Sequence, residues 1–214
     1  MSETTTAPPL TRTVRLGYHG SAEVAHRITA LAALTDVAVE LSQYDIADPF
    51  RGLRQGELDV AIVKFGLREP DLAISRVLGW DARAVVVGAE HPLAAFASGS
   101  VSVEDVAEYE AFHCPGLLPG YVWDEVVPPY TPGGRPIVRR HQVDAIPQML
   151  ALVASGVAVH LSLASLADIA PPTIRVVPVH DLPPAPVALC WHRGTDLPFH
   201  VRKFITSAEA EASR

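Results

Sequence analysis

Residues 13–44 read TVRLGYHGSAEVAHRITALAALTDVAVELSQY, and their patterning decides the fold. TVRLGYH (13–19) has strand character. SAEVAHRITALAAL (21–34) sets Val24, Ile28, Leu31 and Leu34 at helical spacing behind Ser21, a candidate N-cap. VAVELSQY (37–44) returns to strand. The unit then repeats: DPFRGLRQGE (48–57) reads as a short helix with Pro49 near its first turn and Gly56 at its end. LDVAIVKF (58–65) is an almost unbroken apolar run, as expected for a strand covered on both faces. This alternation implies a parallel sheet with helices over it.

Further along, LAISRVL (72–78) and ARAVVVGAE (82–90) read as two more strands before HPLA (91–94) and AAFASGS break the pattern. A second series follows, with helices expected at 102–108, 120–127 and 145–155. Its strands are expected at AFHCP (111–115, a strand end), 137–143, 157–163 and 173–179. After PPAP (183–186), residues 187–193 read as a strand and the segment from Pro198 as a final helix. The expected organisation is a tail over 1–12, a first lobe over 13–88 completed by 187–214, and a second lobe over 89–186. Two crossings between the lobes are expected near residues 89 and 186.

The 214 residues are 49% apolar and 19% charged, enough to bury a core and unlike a disordered chain. A net charge of −7 with no basic run excludes the electrostatic footprint of a stand-alone nucleic-acid binder. Cys114 and Cys190 are far apart, and neither CxxC nor HExxH occurs, so neither a disulfide scaffold nor a metal site is expected. MSETTTAPPLTRT lacks the charged-then-apolar order of a secretion signal, and a cytoplasmic location is expected. The apolar stretch 150–170 is interrupted by Ser155, Gly156, His160 and Asp168, and reads as a helix ending at Gly156 followed by a buried strand, with no membrane span.

Five stretches together resemble the effector-binding (substrate-binding) domain of LysR-type transcriptional regulators. They are GELDVAIV (56–63), VVVGAEHPLA (85–94), PGLLPGYVWDEVV (115–127), MLALVASGVAVHLSLASLA (149–167) and LCWHRGTDLPFHVRKFI (189–205). The resemblance covers nearly all of residues 13–208. It implies an α/β fold of the two-lobed, type II periplasmic-binding-protein-like kind, with doubly wound sheets and a hinge of two crossovers. It also implies a small-molecule effector in the cleft and a side-by-side homodimer. The family's winged helix-turn-helix would precede residue 13, where a dozen polar residues stand, so the chain itself is not expected to bind DNA. Two departures bear on the pocket: no proline precedes the 37–44 strand, and Ser162 stands where the family often has proline.

Ligands of doubly wound lobes bind beyond the carboxyl ends of the parallel strands. That rule selects His19, Gly20, Ser21, Tyr44, Lys64 and Phe65 in the first lobe, and Cys114, Pro115 and Gln142 in the second, with His160 nearby. Ser21 and the start of the first helix suit a carboxylate, and Ser21 is equally a plain cap. Lys64 could pair with an acid or be a loop lysine; Tyr44 and Phe65 could be pocket walls or ordinary core. The expected ligand is a small organic acid or similar polar metabolite. His113 and Cys114 are adjacent on a strand and point to opposite faces, which argues against a nucleophile–base couple. Of the two, Cys114 is expected to face the pocket. No catalytic residue, cofactor or metal is assigned. Two alternatives stand beside the binding domain: a binding fold co-opted as a biosynthetic enzyme, and a single-cysteine redox sensor for which no second cysteine lies near Tyr121–Trp123.

Overall fold

In a computed structural model, residues 12–143 and 145–214 are described; residues 1–11 of the expected tail fall outside them. The chain opens with β1 (Thr13–Tyr18), α1 (Ala22–Ala32), β2 (Ala38–Gln43), α2 (Arg51–Arg54) and β3 (Val60–Lys64). β1 pairs in parallel with both β2 and β3, as the strand–helix alternation requires. Short strands β4 (Leu72–Ile74) and β5 (Gly79–Asp81) follow, where the sequence suggested one strand over 72–78.

The second lobe holds β6 (Arg83–Gly88), α3 (Val103–Val106), β7 (Ala111–Phe112), α4 (Gly120–Val126) and β8 (Arg139–His141). α5 (Ile146–Ala154), β9 (His160–Leu163) and β10 (Ile174–Pro178) complete it. Here β6 is the centre of an antiparallel sheet ordered β10-β6-β9, while β7 and β8 form a parallel pair. The chain then returns to the first lobe with β11 (Ala185–His192) and α6 (Phe199–Ala212). β11 inserts antiparallel between β3 and β4 and also pairs with β5.

This pairing corrects the expected boundary at residue 88. Residues 83–88 belong to the second sheet, so the first crossing lies at 81–83 and the return at 179–185. The reason is packing: Val85, Val86 and Val87 are fully buried in the second lobe's core with Phe112, Leu161 and Val177.

The first sheet is covered on both faces, which explains the unbroken apolar run of β3. Val60 and Ile62 face a core shared with α1 and α6, built on Leu16, Ile28, Leu189 and Phe204. Ala61 and Val63 face the opposite core with Phe50, Leu53, Leu72 and Cys190. Each fully buried Leu or Phe contributes roughly 1.5–3 kcal/mol of transfer free energy. α5 ends before Gly156, whose φ of +74° turns the chain toward β9. Among the described residues no helix is long and apolar enough to cross a membrane.

Candidate functional site

A cavity of about 150 Å³ lies between the lobes, at the carboxyl ends of β1, β2 and β3. The first lobe contributes His19, Gly20, Ser21, Tyr44, Lys64 and Phe65, and the second Pro115 and His160, all named from sequence. Gly20, at φ +78°, makes the sharp turn from β1 into α1. That turn buries Ser21 at the mouth of the cavity, where its Oγ accepts from Glu23 N at 3.1 Å as the α1 cap.

Two expected residues are elsewhere. Gln142 is exposed and does not line the cavity. Cys114 does not line it either; its Sγ lies 3.2 Å from Leu118 O and packs against the second lobe's core. The alternation rule fails here because β7 stops at Phe112. The chain then bends through Gly116, at φ +46°, and Pro115 becomes the wall instead. His113 is exposed. Burial pushes the Cys114 thiol above its usual value, which leaves little thiolate at neutral pH.

The polar groups of the cavity are mostly engaged with one another. Lys64 Nζ donates to Asp81 Oδ2 and to Ser165 Oγ, each at 2.8 Å, and Ser165 N donates to Asp81 Oδ1 at 3.2 Å. This buried network ties β3 to the hinge strand β5 and to the 3₁₀ turn Ala164–Ile169 of the other lobe. Ser21 Oγ donates to the carboxylate of Asp168, from the same turn. Tyr44 donates its hydroxyl to Ile62 O at 2.9 Å and stacks on His19, whose Nδ1 is 3.3 Å from Tyr44 O.

Behind Phe65 lies the buried Arg83, which makes no direct ion pair with a carboxylate among the described residues, Glu125 being its charged neighbour. Its guanidinium donates to the carbonyls of Ser162, Glu125 and Val126 and sits 5.2 Å from the Phe65 ring centroid. Burial lowers its pKa to about 10, so it stays a cation at neutral pH. Phe65 itself holds a left-handed φ of +71°, unusual outside glycine, and donates its N–H to Pro186 O at 3.1 Å at the returning crossover.

His160 is the exception among these satisfied groups. It is buried, stacked on Trp123 at 5.9 Å and edge-on to Phe112 at 5.7 Å, and its Nδ1 meets no hydrogen-bond partner. An unpaired buried nitrogen of this kind costs roughly 1–3 kcal/mol. Burial, then the neighbouring His19 and Arg83, push its pKa down to about 4, and burial also lowers that of His19. Both rings are neutral at pH 7.

Apart from Ser162, the remaining walls are apolar: Ile62, Leu118, Val122, Trp123, Ile146 and Met149 among them. Sequence reasoning named none of these, nor Ser165, Asp81 and Asp168. The available signal was the apolar face of α4 and the start of α5, which the strand-end rule does not consult. Polar contacts close the lobes around the cavity. Leu117 N donates to Ala47 O at 2.5 Å, Arg68 N to Tyr121 Oη at 2.7 Å, and Tyr121 Oη to Glu69 Oε1 at 3.1 Å. Among the described residues no three His, Cys, Asp or Glu side chains cluster in a way that could hold a metal ion.

Residues 8–213 match the family described as the LysR substrate binding domain. The BenM effector binding domain with its effector benzoate has a TM-score of 0.70 to this chain at 19% identity, over 95% of this chain and 93% of that one. The effector binding domain of QuiR in complex with shikimate has a TM-score of 0.66 at 19% identity, over 94% and 97%. CbnR, a LysR family transcriptional regulator, has a TM-score of 0.72 at 18% identity, over 94% of this chain and 70% of that one. No curated protein matches the chain. These likenesses establish the expected two-lobed, type II periplasmic-binding-protein-like architecture.

Proposed function

The chain belongs to the LysR substrate binding domain family, and on that premise we propose that it is a regulatory domain whose small-molecule effector occupies the cavity between its lobes. The cavity carries this reading: it is largely apolar, sits at the strand ends where such folds take ligands, and has the His160 imidazole in its wall. The BenM and QuiR structures contain benzoate and shikimate, and a small effector of that order is the counterpart for this chain. A ligand touching both lobes favours their closed arrangement, and that difference in lobe angle is the regulatory output. With a net charge of −7 the domain has little attraction for DNA, so the output passes to a partner or an attached domain in a cytoplasmic setting. A homodimer is part of the same reading, supported by the family resemblance, and light scattering tests it.

The expected organic acid or polar metabolite divides at this point. An acid asks for a free cation at Lys64 and an open helix end at Ser21, and both are engaged within the protein. A molecule with a limited polar portion fits the remaining space. The test is a thermal-shift screen of small ring compounds against the wild-type chain and a Leu118→Trp variant that fills the cavity. Binders should raise Tm in the wild type and lose that effect in the variant; binders indifferent to the filling would sink the assignment of the cavity. The redox alternative predicts that stoichiometric peroxide oxidises Cys114. The binding reading expects mass spectrometry to find it unmodified, because its thiol is raised and turned into the core.

A further inference from the structure

We infer that the effector of this cavity is an uncharged, mainly apolar molecule about the size of one six-membered ring, with one hydrogen-bonding group for the His160 imidazole, and that Asp168 keeps acids out by occupying the anion position itself. The inference rests on the ligand-binding reading above and specifies its chemical class.

An incoming carboxylate needs a cation or free N–H donors. Among the described residues lining the cavity, Lys64 is the one that carries a fixed positive charge, and Asp81 lies 2.8 Å from its Nζ. Arg83 stands behind Phe65 with its guanidinium turned to backbone carbonyls. The positive end of the eleven-residue helix α1 is the remaining place for an anion, and its cap Ser21 already donates to the Asp168 carboxylate. An acid docked there would set two carboxylates side by side, which opposes ionisation of both.

What the cavity offers instead is a sleeve of Phe65, Leu118, Trp123 and Met149, with the neutral imidazole of His160 in its wall. His160 Nδ1 is buried and unpartnered, and the ring is held by Trp123 on its face and Phe112 at its edge. A neutral imidazole donates at one ring nitrogen and accepts at the other, so it suits a hydroxyl or a carboxamide equally. The volume, about 150 Å³, is that of a cavity able to hold a benzene-sized molecule.

Isothermal titration of the whole chain with phenol, benzamide, toluene and benzoate tests this. Phenol or benzamide should bind at least about tenfold more tightly than either toluene or benzoate. Asp168 is exposed, so Asp168→Ala leaves the fold intact; it should raise benzoate affinity by about tenfold and leave phenol within about threefold. His160→Phe should erase the preference for phenol over toluene, and the same preference in the wild type reads that hydrogen bond if the variant does not fold. Benzoate binding the wild type as tightly as phenol, or gaining nothing from Asp168→Ala, overturns the ligand class while leaving the cavity a ligand site. Failure of every probe to bind overturns both this inference and the reading it rests on.

Discussion

His160 shows how one side chain sets a measurable property of the whole protein. Its pKa is about 4 in the fold and near 6.5 in an unfolded chain, because burial disfavours the imidazolium. Between those values the unfolded state binds more protons than the native state, so stability is complete above pH 6.5 and falls as pH drops toward 4. The loss attributable to His160 should approach about 3 kcal/mol, with losses of the same sign from His19 and His91, whose pKa values burial also lowers. Urea denaturation at a series of pH values checks this, and His160→Phe should flatten the slope in that window. Lys64 is the second case. Lys64→Ala leaves Asp81 buried without its cation and should cost about 3 kcal/mol, much of it recovered by adding Asp81→Leu; chemical denaturation of the single and double variants decides it. Lys64 was legible in the sequence as a strand-end residue, and His160 as a residue near those ends. Their states were not: the partner of Lys64 lies 17 residues away on another strand, and no local pattern encodes that. Cys114 misled because strand alternation was extended past the point where the strand stops.

At the scale of elements, α1 was readable because its buried residues recur at helical spacing and β3 because it is an apolar run covered on both faces, and a βαβ unit leaves one handed way to pack. β6 was placed in the wrong lobe for the same physical reason that made it recognisable. A run buried on both faces is compatible with either core, and its pairing with residues 174–178 and 160–163 chooses between them. α1 carries a double duty at its N-cap, since Ser21 both caps the helix and donates to Asp168 of the other lobe. Ser21→Ala should therefore cost about 1 kcal/mol from the cap. It should also speed amide exchange in residues 164–169 of the opposite lobe, and a variant that loses stability with no such remote change would show that the cross-lobe contact carries no weight.

For the whole molecule, the closeness of the two lobes depends on a point without a side chain. A Cβ at Gly116 would collide with the backbone and Cβ of Ala47, at a left-handed φ that already disfavours any other residue. Gly116→Ala should hold the lobes apart, with an increased radius of gyration in solution scattering and a loss of about 1–3 kcal/mol; an unchanged scattering curve would place the closure elsewhere. The last strand has a different kind of consequence. β11 lies inside the first sheet, joining β3 to β4 and β5, although the chain leaves that sheet at residue 81 and comes back only at 185. During synthesis, residues 82–184 emerge with every partner for their own two sheets already present. The first lobe waits, with β3 unpaired along one edge, until residue 192 has cleared the ribosome. The inserted lobe is thus the natural first folding unit, and a message truncated anywhere before residue 185 yields a product whose open strand edge invites aggregation.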